Sequence, residues 1–275
     1  MADGPLLLGI DVGSSRIKAA LVDGDGREAG LSSTTTPFST GDGRVEMAVD
    51  HLEACLAAVL AGLGDACRRV VAVGVAGMAE SGAPLDGAGR VLAPVVAWHD
   101  PRGEEAVAQL EDHFGAELAL RVGQPVRTVL TAAKLGWLLA NGVTGVVRWL
   151  GVPELVLHAL TGAEATEFSL AARTGCYDVT ARRWIPEVAA VVGFSTAVFP
   201  PVRPAGAVMG RVSAGWPGPP AGTPVTIAGH DHLAGMAGAA VGRGSVANSV
   251  GTAETLVARS ATLPDIGAAL DARAA

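Results

Sequence analysis

The chain has 275 residues, with 27 acidic against 20 basic side chains and a formal net charge of −7. This balance argues against an extended nucleic-acid surface, and the basic residues are scattered apart from short pairs such as Arg68-Arg69 and Arg182-Arg183. Although 49 % of the residues are hydrophobic, apolar runs such as 70–79 are too short to cross a bilayer and are broken by glycine, so no transmembrane helix is expected.

No basic region precedes Leu6-Leu7-Leu8, and Asp11 soon interrupts that run, so no secretory signal is expected. Cys55, Cys67 and Cys176 are odd in number and lack Cys-x-x-Cys spacing, which predicts reduced, mostly buried thiols in a cytoplasmic protein. The apolar excess fits an Ala/Gly/Val-rich α/β core whose parallel strands are covered on both faces. The length suffices for one large core or two modest ones.

Residues 6–10 predict a buried strand that runs into Asp11 and a small-residue turn, and 17–22 predict the returning strand. Gly13 lets the backbone approach a charged ligand, Ser14 and Ser15 offer hydroxyl and amide donors, and Asp11 can hold a magnesium ion directly or through water. Such a turn suits a nucleoside triphosphate, although the same pattern also makes an ordinary hairpin. The turn Asp23-Gly24-Asp25-Gly26 leads to a third strand over 28–36.

A helix is predicted next, with Asp50 and Glu53 as its capping pattern, Leu52, Cys55, Leu56, Val59, Leu60 and Leu63 on one face, and Gly64 as its stop. Residues 70–75 predict a central parallel strand. It ends at Gly77-Met78-Ala79-Glu80-Ser81, where an open α/β sheet presents functional side chains. Helices follow over 128–140 and 154–160, and proline-rich surface turns over 200–204 and 217–220. A strand over 224–228 then ends in Gly229-His230-Asp231-His232 ahead of a small-residue helix over 233–241. Residues 246–257 repeat the opening pattern of strand, Val-Gly-Ser/Thr turn and strand, now with Gly251-Thr252 at the turn.

Three antiparallel strands, a helix and a parallel strand form the ribonuclease-H-like order. The duplicated hairpin points to the actin-like ATPase superfamily, with one phosphate loop from each lobe facing a shared cleft. The expected architecture is an α/β lobe with a mixed sheet and flanking helices, over residues 1–244. The start of a second lobe is expected over 245–275, where the chain stops.

Five ordered motifs carry a resemblance over nearly the whole chain: Asp11-x-Gly13-Ser14-Ser15, Trp98-His99-Asp100-Pro101-Arg102, Thr174-Gly175-x-x-Asp178, Gly229-His230-Asp231 and Gly251-Thr252. They occur in the order seen in FGGY carbohydrate kinases. The resemblance implies ATP-dependent, Mg2+-assisted phosphorylation of a hydroxyl on a sugar, ketose or polyol. It assigns Asp231 as general base in contact with the acceptor, Met78, Ala79, Glu80, Trp98 and Asp100 to the acceptor pocket, and Asp11 to the magnesium ion. Gly13, Ser14, Ser15, Gly251 and Thr252 fall at the phosphates. The xylulose-kinase signature at Met78 and the Arg-Glu pair of glycerol kinases are both altered here, because Ala79 precedes Glu80.

Each assignment has a structural counterpart. Asp231 at a strand-to-helix junction also suits a helix cap, Trp98 suits a core aromatic, and Arg102 can pair with Asp100 to brace a loop. His230 and His232 form a His-x-His pair, but a helix beginning between them is expected to make their side chains diverge. A catalytically silent sugar-binding lobe is the competing reading, and a metal-dependent hydrolase at the two histidines a third. The expected partner is a small-molecule sugar or polyol, with a homodimer as the assembly to test, and neither nucleic acid nor a membrane.

Overall fold

The computed structural model describes residues 4–250, 254–262 and 265–268. Its elements include β1 (Leu6–Val12), β2 (Arg16–Val22), β3 (Glu28–Thr35), α1 (Val49–Ala61), β4 (Val70–Gly77), α2 (Thr131–Ala140) and α3 (Val152–Thr161). They continue with β5 (Gly210–Arg211), β6 (Pro224–His230), α4 (Asp231–Gly238), β7 (Val246–Val250) and β8 (Glu254–Ala258). The main sheet has the order β5-β6-β4-β1-β2-β3. The β1-β2-β3 meander is antiparallel, while β4 runs parallel to β1 and β6 parallel to β4. The antiparallel meander followed by α1 and a parallel strand is the predicted opening order.

Alternation sets the core. Leu6, Leu8, Ile10 and Val12 of β1 and Ile17, Ala19 and Leu21 of β2 point to one face, where they pack with Leu52, Leu56 and Leu60 of α1 and Leu155 and Leu160 of α3. The expected cover on both faces is not found among the described residues. Leu7, Leu31 and Val71 alternate to the other face and are about half exposed, so β1–β4 read as one-sided strands with a polar-tolerant outer face. A second core is helical and includes Leu110, Leu118, Leu135, Leu138 and Val188. A separate five-stranded sheet, built from short segments between Ser39 and Gly151, lies beside it in the chain order.

Element ends differ from the sequence expectation in instructive ways. Asp50 does not cap α1: Ala48 occupies the cap without a side-chain bond, and Asp50 lies in the first turn, where its charge favours the positive end of the helix. The helix ends at Gly62, and Gly64, at φ +62°, opens a short 3-10 turn instead of stopping α1. β1 extends to Val12, so Asp11 is a strand residue paired across with Lys18 and not a turn residue. α3 begins two residues early because Pro153 suits its first turn, and Gly162, at φ +70°, closes it. Of the cysteines, Cys67 and Cys176 are buried and Cys55 is half-buried, all as free thiols. Among the described residues no helix is long and apolar enough to cross a membrane.

Candidate active site at the strand ends

The C-terminal ends of β1, β4 and β6 open onto one cleft of about 840 Å³. Three separated segments line it: Asp11 with Gly13, Ser14 and Ser15; Met78, Ala79 and Glu80; and His230, Asp231 and His232. Trp98, Arg173 and Lys18 complete its wall, with Ser249 and Thr255 from the β7–β8 hairpin opposite. Parallel β1, β4 and β6 bring these together because each ends at the same edge of the sheet.

The first loop is firmly held. Gly13 N–H donates to the Arg16 carbonyl at 3.0 Å, and Thr36 Oγ1 donates to the Gly13 carbonyl at 2.6 Å. The Trp98 indole Nε1–H donates to Ser14 Oγ at 2.8 Å, and its backbone N–H to Ser81 Oγ at 2.8 Å. Trp98 therefore ties the glycine-serine loop to the second segment while presenting its ring to the cleft. Asp11 Oδ2 faces Lys18 Nζ at 3.6 Å, whereas Oδ1 is buried with no hydrogen-bond partner among the described residues. Burial pushes the Asp11 carboxyl above its usual range; Lys18 opposes this and the Asp231 charge adds to it. An orphaned carboxylate oxygen at the edge of an open, polar cleft is the kind of hard oxygen donor that fits Mg2+.

Glu80 is buried and held at φ +60°, a backbone conformation that costs energy for a residue with a side chain. Ser81 N–H closes a three-residue turn on the Ala79 carbonyl at 2.6 Å, and the Glu80 carboxylate pairs with Arg173. Burial raises the Glu80 carboxyl above its ordinary range, and Arg173 offsets only part of that. Arg173 was not foreseen as a site residue; its only trace in the sequence is its place directly before Thr174-Gly175. It reaches Glu80 from 93 residues along the chain.

Asp231 is the first residue of α4, with His230 as the cap. Its Oδ1 accepts the His232 backbone N–H at 2.7 Å and lies 3.2 Å from His230 Nε2. Burial lowers the His230 imidazole to about 4 despite the adjoining Asp231 charge, so that ring is neutral at physiological pH. The Asp231 corner is fixed from behind: His230 N–H donates to Ser169 Oγ at 2.9 Å, and Ser169 in turn binds the Glu167 carboxylate. Gly229, at φ +121°, is required there, since a Cβ would come within 2.7 Å of Ser169 Oγ and 2.9 Å of Glu167 Oε2.

Two sequence expectations change. Asp100 does not line the cleft. Its carboxylate is shared between Arg102, at 2.7 and 2.6 Å, and the Val45 N–H, at 2.7 Å, and Arg102 also meets Glu46 at 2.7 Å and stacks 4.8 Å over the Trp137 ring. It is a loop brace, with no free acceptor for a sugar hydroxyl. His230 and His232 do not diverge: their ring centroids are 5.1 Å apart, because the strand-to-helix switch rotates the second ring back toward the first. Gly251 and Thr252 lie outside the described residues.

With this geometry, comparison with known proteins is decisive: residues 6–238 match the N-terminal domain of the FGGY family of carbohydrate kinases. The chain belongs to the FGGY family. Among curated relatives of this FGGY chain, an L-fuculokinase of Salmonella typhi is 29 % identical over 271 residues, covering 93 % of the chain and 57 % of the relative. A xylulose kinase of Streptomyces coelicolor is 28 % identical, covering 96 % and 56 %. The FGGY chain thus spans about half the length of these relatives. The crystal structure of xylulose kinase from Rhodospirillum rubrum superposes with a TM-score of 0.85 at 26 % identity, covering 94 % of the chain and 56 % of that structure. Plasmodium falciparum glycerol kinase with ADP shares the fold at a TM-score of 0.81 and 18 % identity. The actin-like, ribonuclease-H-like architecture is that of these kinases.

Proposed function

We propose that this chain carries the acceptor pocket, the catalytic base and one phosphate loop of an ATP-dependent kinase acting on a hydroxyl of a sugar, ketose or polyol. One observation supports it above the others: the Asp11–Ser15 loop, Glu80 with Trp98, and Asp231 all face one cleft, although more than 200 residues separate Asp11 from Asp231. In this reading residues 1–244 form the acceptor and base lobe and 245–275 begin the nucleotide lobe.

Asp231 takes the proton of the attacking hydroxyl and orients its oxygen in line with the γ-phosphate. Asp231 lines the cleft, and the His232 N–H holds its orientation. Glu80, pinned by Arg173, accepts bonds from acceptor hydroxyls, and Met78, Ala79 and the Trp98 ring face the C–H side of the ligand. Gly13, Ser14 and Ser15 bind phosphate oxygens through N–H and hydroxyl donors, with Gly251 and Thr252 as the opposing loop. Asp11 would hold Mg2+, which supplies charge neutralisation on the β- and γ-phosphate oxygens.

The test is sugar-dependent ADP release by the protein at the full length of its relatives, across fucose-, xylose- and glycerol-related acceptors. Asp231→Asn is expected to lower turnover by at least about 10²-fold while acceptor affinity barely changes. Near-normal turnover in that variant would overturn the base assignment. On the 275-residue chain, the right acceptor is expected to raise Tm by mass action without measurable turnover.

A further inference from the structure

The convergence of His230 and His232 on Asp231 creates a donor set that phosphoryl transfer does not require. One ligand atom from each of the three residues lies within 4.8 Å of the other two. His230 Nε2 is 3.2 Å and His232 Nε2 3.9 Å from Asp231 Oδ1. Ligands about 2.0–2.1 Å from a tetrahedral ion stand roughly 3.3 Å apart, so the His230–Asp231 pair already has that spacing and a shift of the His232 ring toward both would close the set.

A second observation concerns the tautomer. His232 Nδ1 lies 2.9 Å from Ser249 Oγ on β7. With Nδ1–H donating to that hydroxyl, the Nε2 lone pair faces Asp231 Oδ1 at 3.9 Å and the Thr255 hydroxyl at 3.4 Å, a weak contact that an ion would replace; an outer-sphere bond at the other ring nitrogen is the arrangement that metal-binding imidazoles use. All three donors line the open cleft, which leaves a fourth position for water.

We propose that His230, Asp231 and His232 form a site for one transition-metal dication of the Zn2+ class, distinct from the oxygen-lined Mg2+ position at Asp11. Two imidazoles and one carboxylate suit Zn2+, Co2+ or Ni2+, whereas Mg2+ demands six oxygen ligands and keeps its water. An ion there occupies the carboxylate assigned as base, making the site inhibitory. That consequence rests on the kinase reading; binding itself does not.

The test is calorimetric titration of the 275-residue chain with Zn2+ in excess Mg2+, with Co2+ absorption as a spectroscopic marker of tetrahedral nitrogen and oxygen ligation. One saturable equivalent is expected, undisturbed by Mg2+. Ser249→Ala should weaken it by about 10- to 100-fold, the usual cost of losing an outer-sphere partner. His232→Asn and His230→Asn should each cost more than that. The double variant His51→Asn/His113→Asn, on exposed helical histidines elsewhere, should leave it intact. Absence of a saturable site overturns the proposal, as does full binding in a folded His232→Asn protein or loss of binding in the double variant. If His230→Asn fails to fold, His232→Asn alone decides. Binding with no effect on turnover of the full-length protein would leave the metal site standing and remove its inhibitory role.

Discussion

The two hairpins that share a sequence pattern, β1–β2 and β7–β8, stand in opposite environments. β1–β2 is extended on both sides by β3 and β4 and sends Leu8, Ile10 and Ile17 into the core, each at most 2 % exposed. β7–β8 pairs only with itself among the described residues, and Val250 and Leu256 are 76 % and 69 % exposed. Its tie to the sheet side of the cleft runs through the His232 ring, which meets Ser249 and Thr255. A local strand-turn-strand pattern thus specifies a hairpin but not its stability, which comes from what its apolar face is packed against.

The largest expected effect tests that contrast directly. Ile17→Ala should cost about 2–5 kcal/mol in denaturant unfolding, since it empties a filled core site. Leu256→Ala should stay within about 0.5 kcal/mol, as for other exposed positions. Comparable losses at both would break the comparison.

Beneath the sheet side, next to a small cavity shared with Glu80, Glu154 is buried, and its Oε1 accepts the Thr166 hydroxyl at 2.5 Å. Burial pushes its carboxyl from an ordinary 4.5 up to about 7, with Thr166 partly opposing. The folded state therefore keeps a proton that the unfolded chain releases, and the stabilisation is complete below pH 4.5 and is lost as pH rises through about 7. Glu154→Gln should flatten that decline and leave the protein roughly 3 kcal/mol more stable at pH 8. Tm measured against pH checks it, and an unchanged slope would move the pH sensitivity elsewhere.

The acceptor pocket gives the next effect in size. Glu80→Ala should weaken binding of the right acceptor by about 1.5–3 kcal/mol in calorimetry, the usual worth of a charged hydrogen bond, and it also leaves Arg173 without its partner. Unchanged affinity would place Glu80 outside the pocket.

The smallest effect concerns Asp11, whose raised carboxyl makes the ionised form unfavourable in the fold. Without metal, Asp11→Asn should raise Tm at pH 7 and make no difference below pH 3.8, where the wild-type group is protonated in both states. Any Tm increase from Mg2+ should disappear in the variant. On the hairpin side, no such pH response is expected from Leu256→Ala.

The period-2 alternation of Leu6, Leu8 and Ile10, the glycine-serine turn, and the strand that ends at Asp231 were legible in the sequence because each is written in consecutive residues. So was the opening order of three antiparallel strands, a helix and a parallel strand, since its short connections leave few topologies; that β6 pairs with β4 across the long middle of the chain was not. The pairing of Glu80 with Arg173, the Glu167-Ser169 support behind His230, and the meeting of the two histidine rings were not. Each joins segments whose approach depends on how helices and loops pack on the sheet, and no local periodicity encodes that distance. Asp100 shows the same limit from the other side: its motif reads equally as ligand contact or loop brace. Only the placement of Arg102 and the Val45 N–H around its buried carboxylate selects the brace, because an acceptor already satisfied by a cation and an amide has little left to offer a hydroxyl.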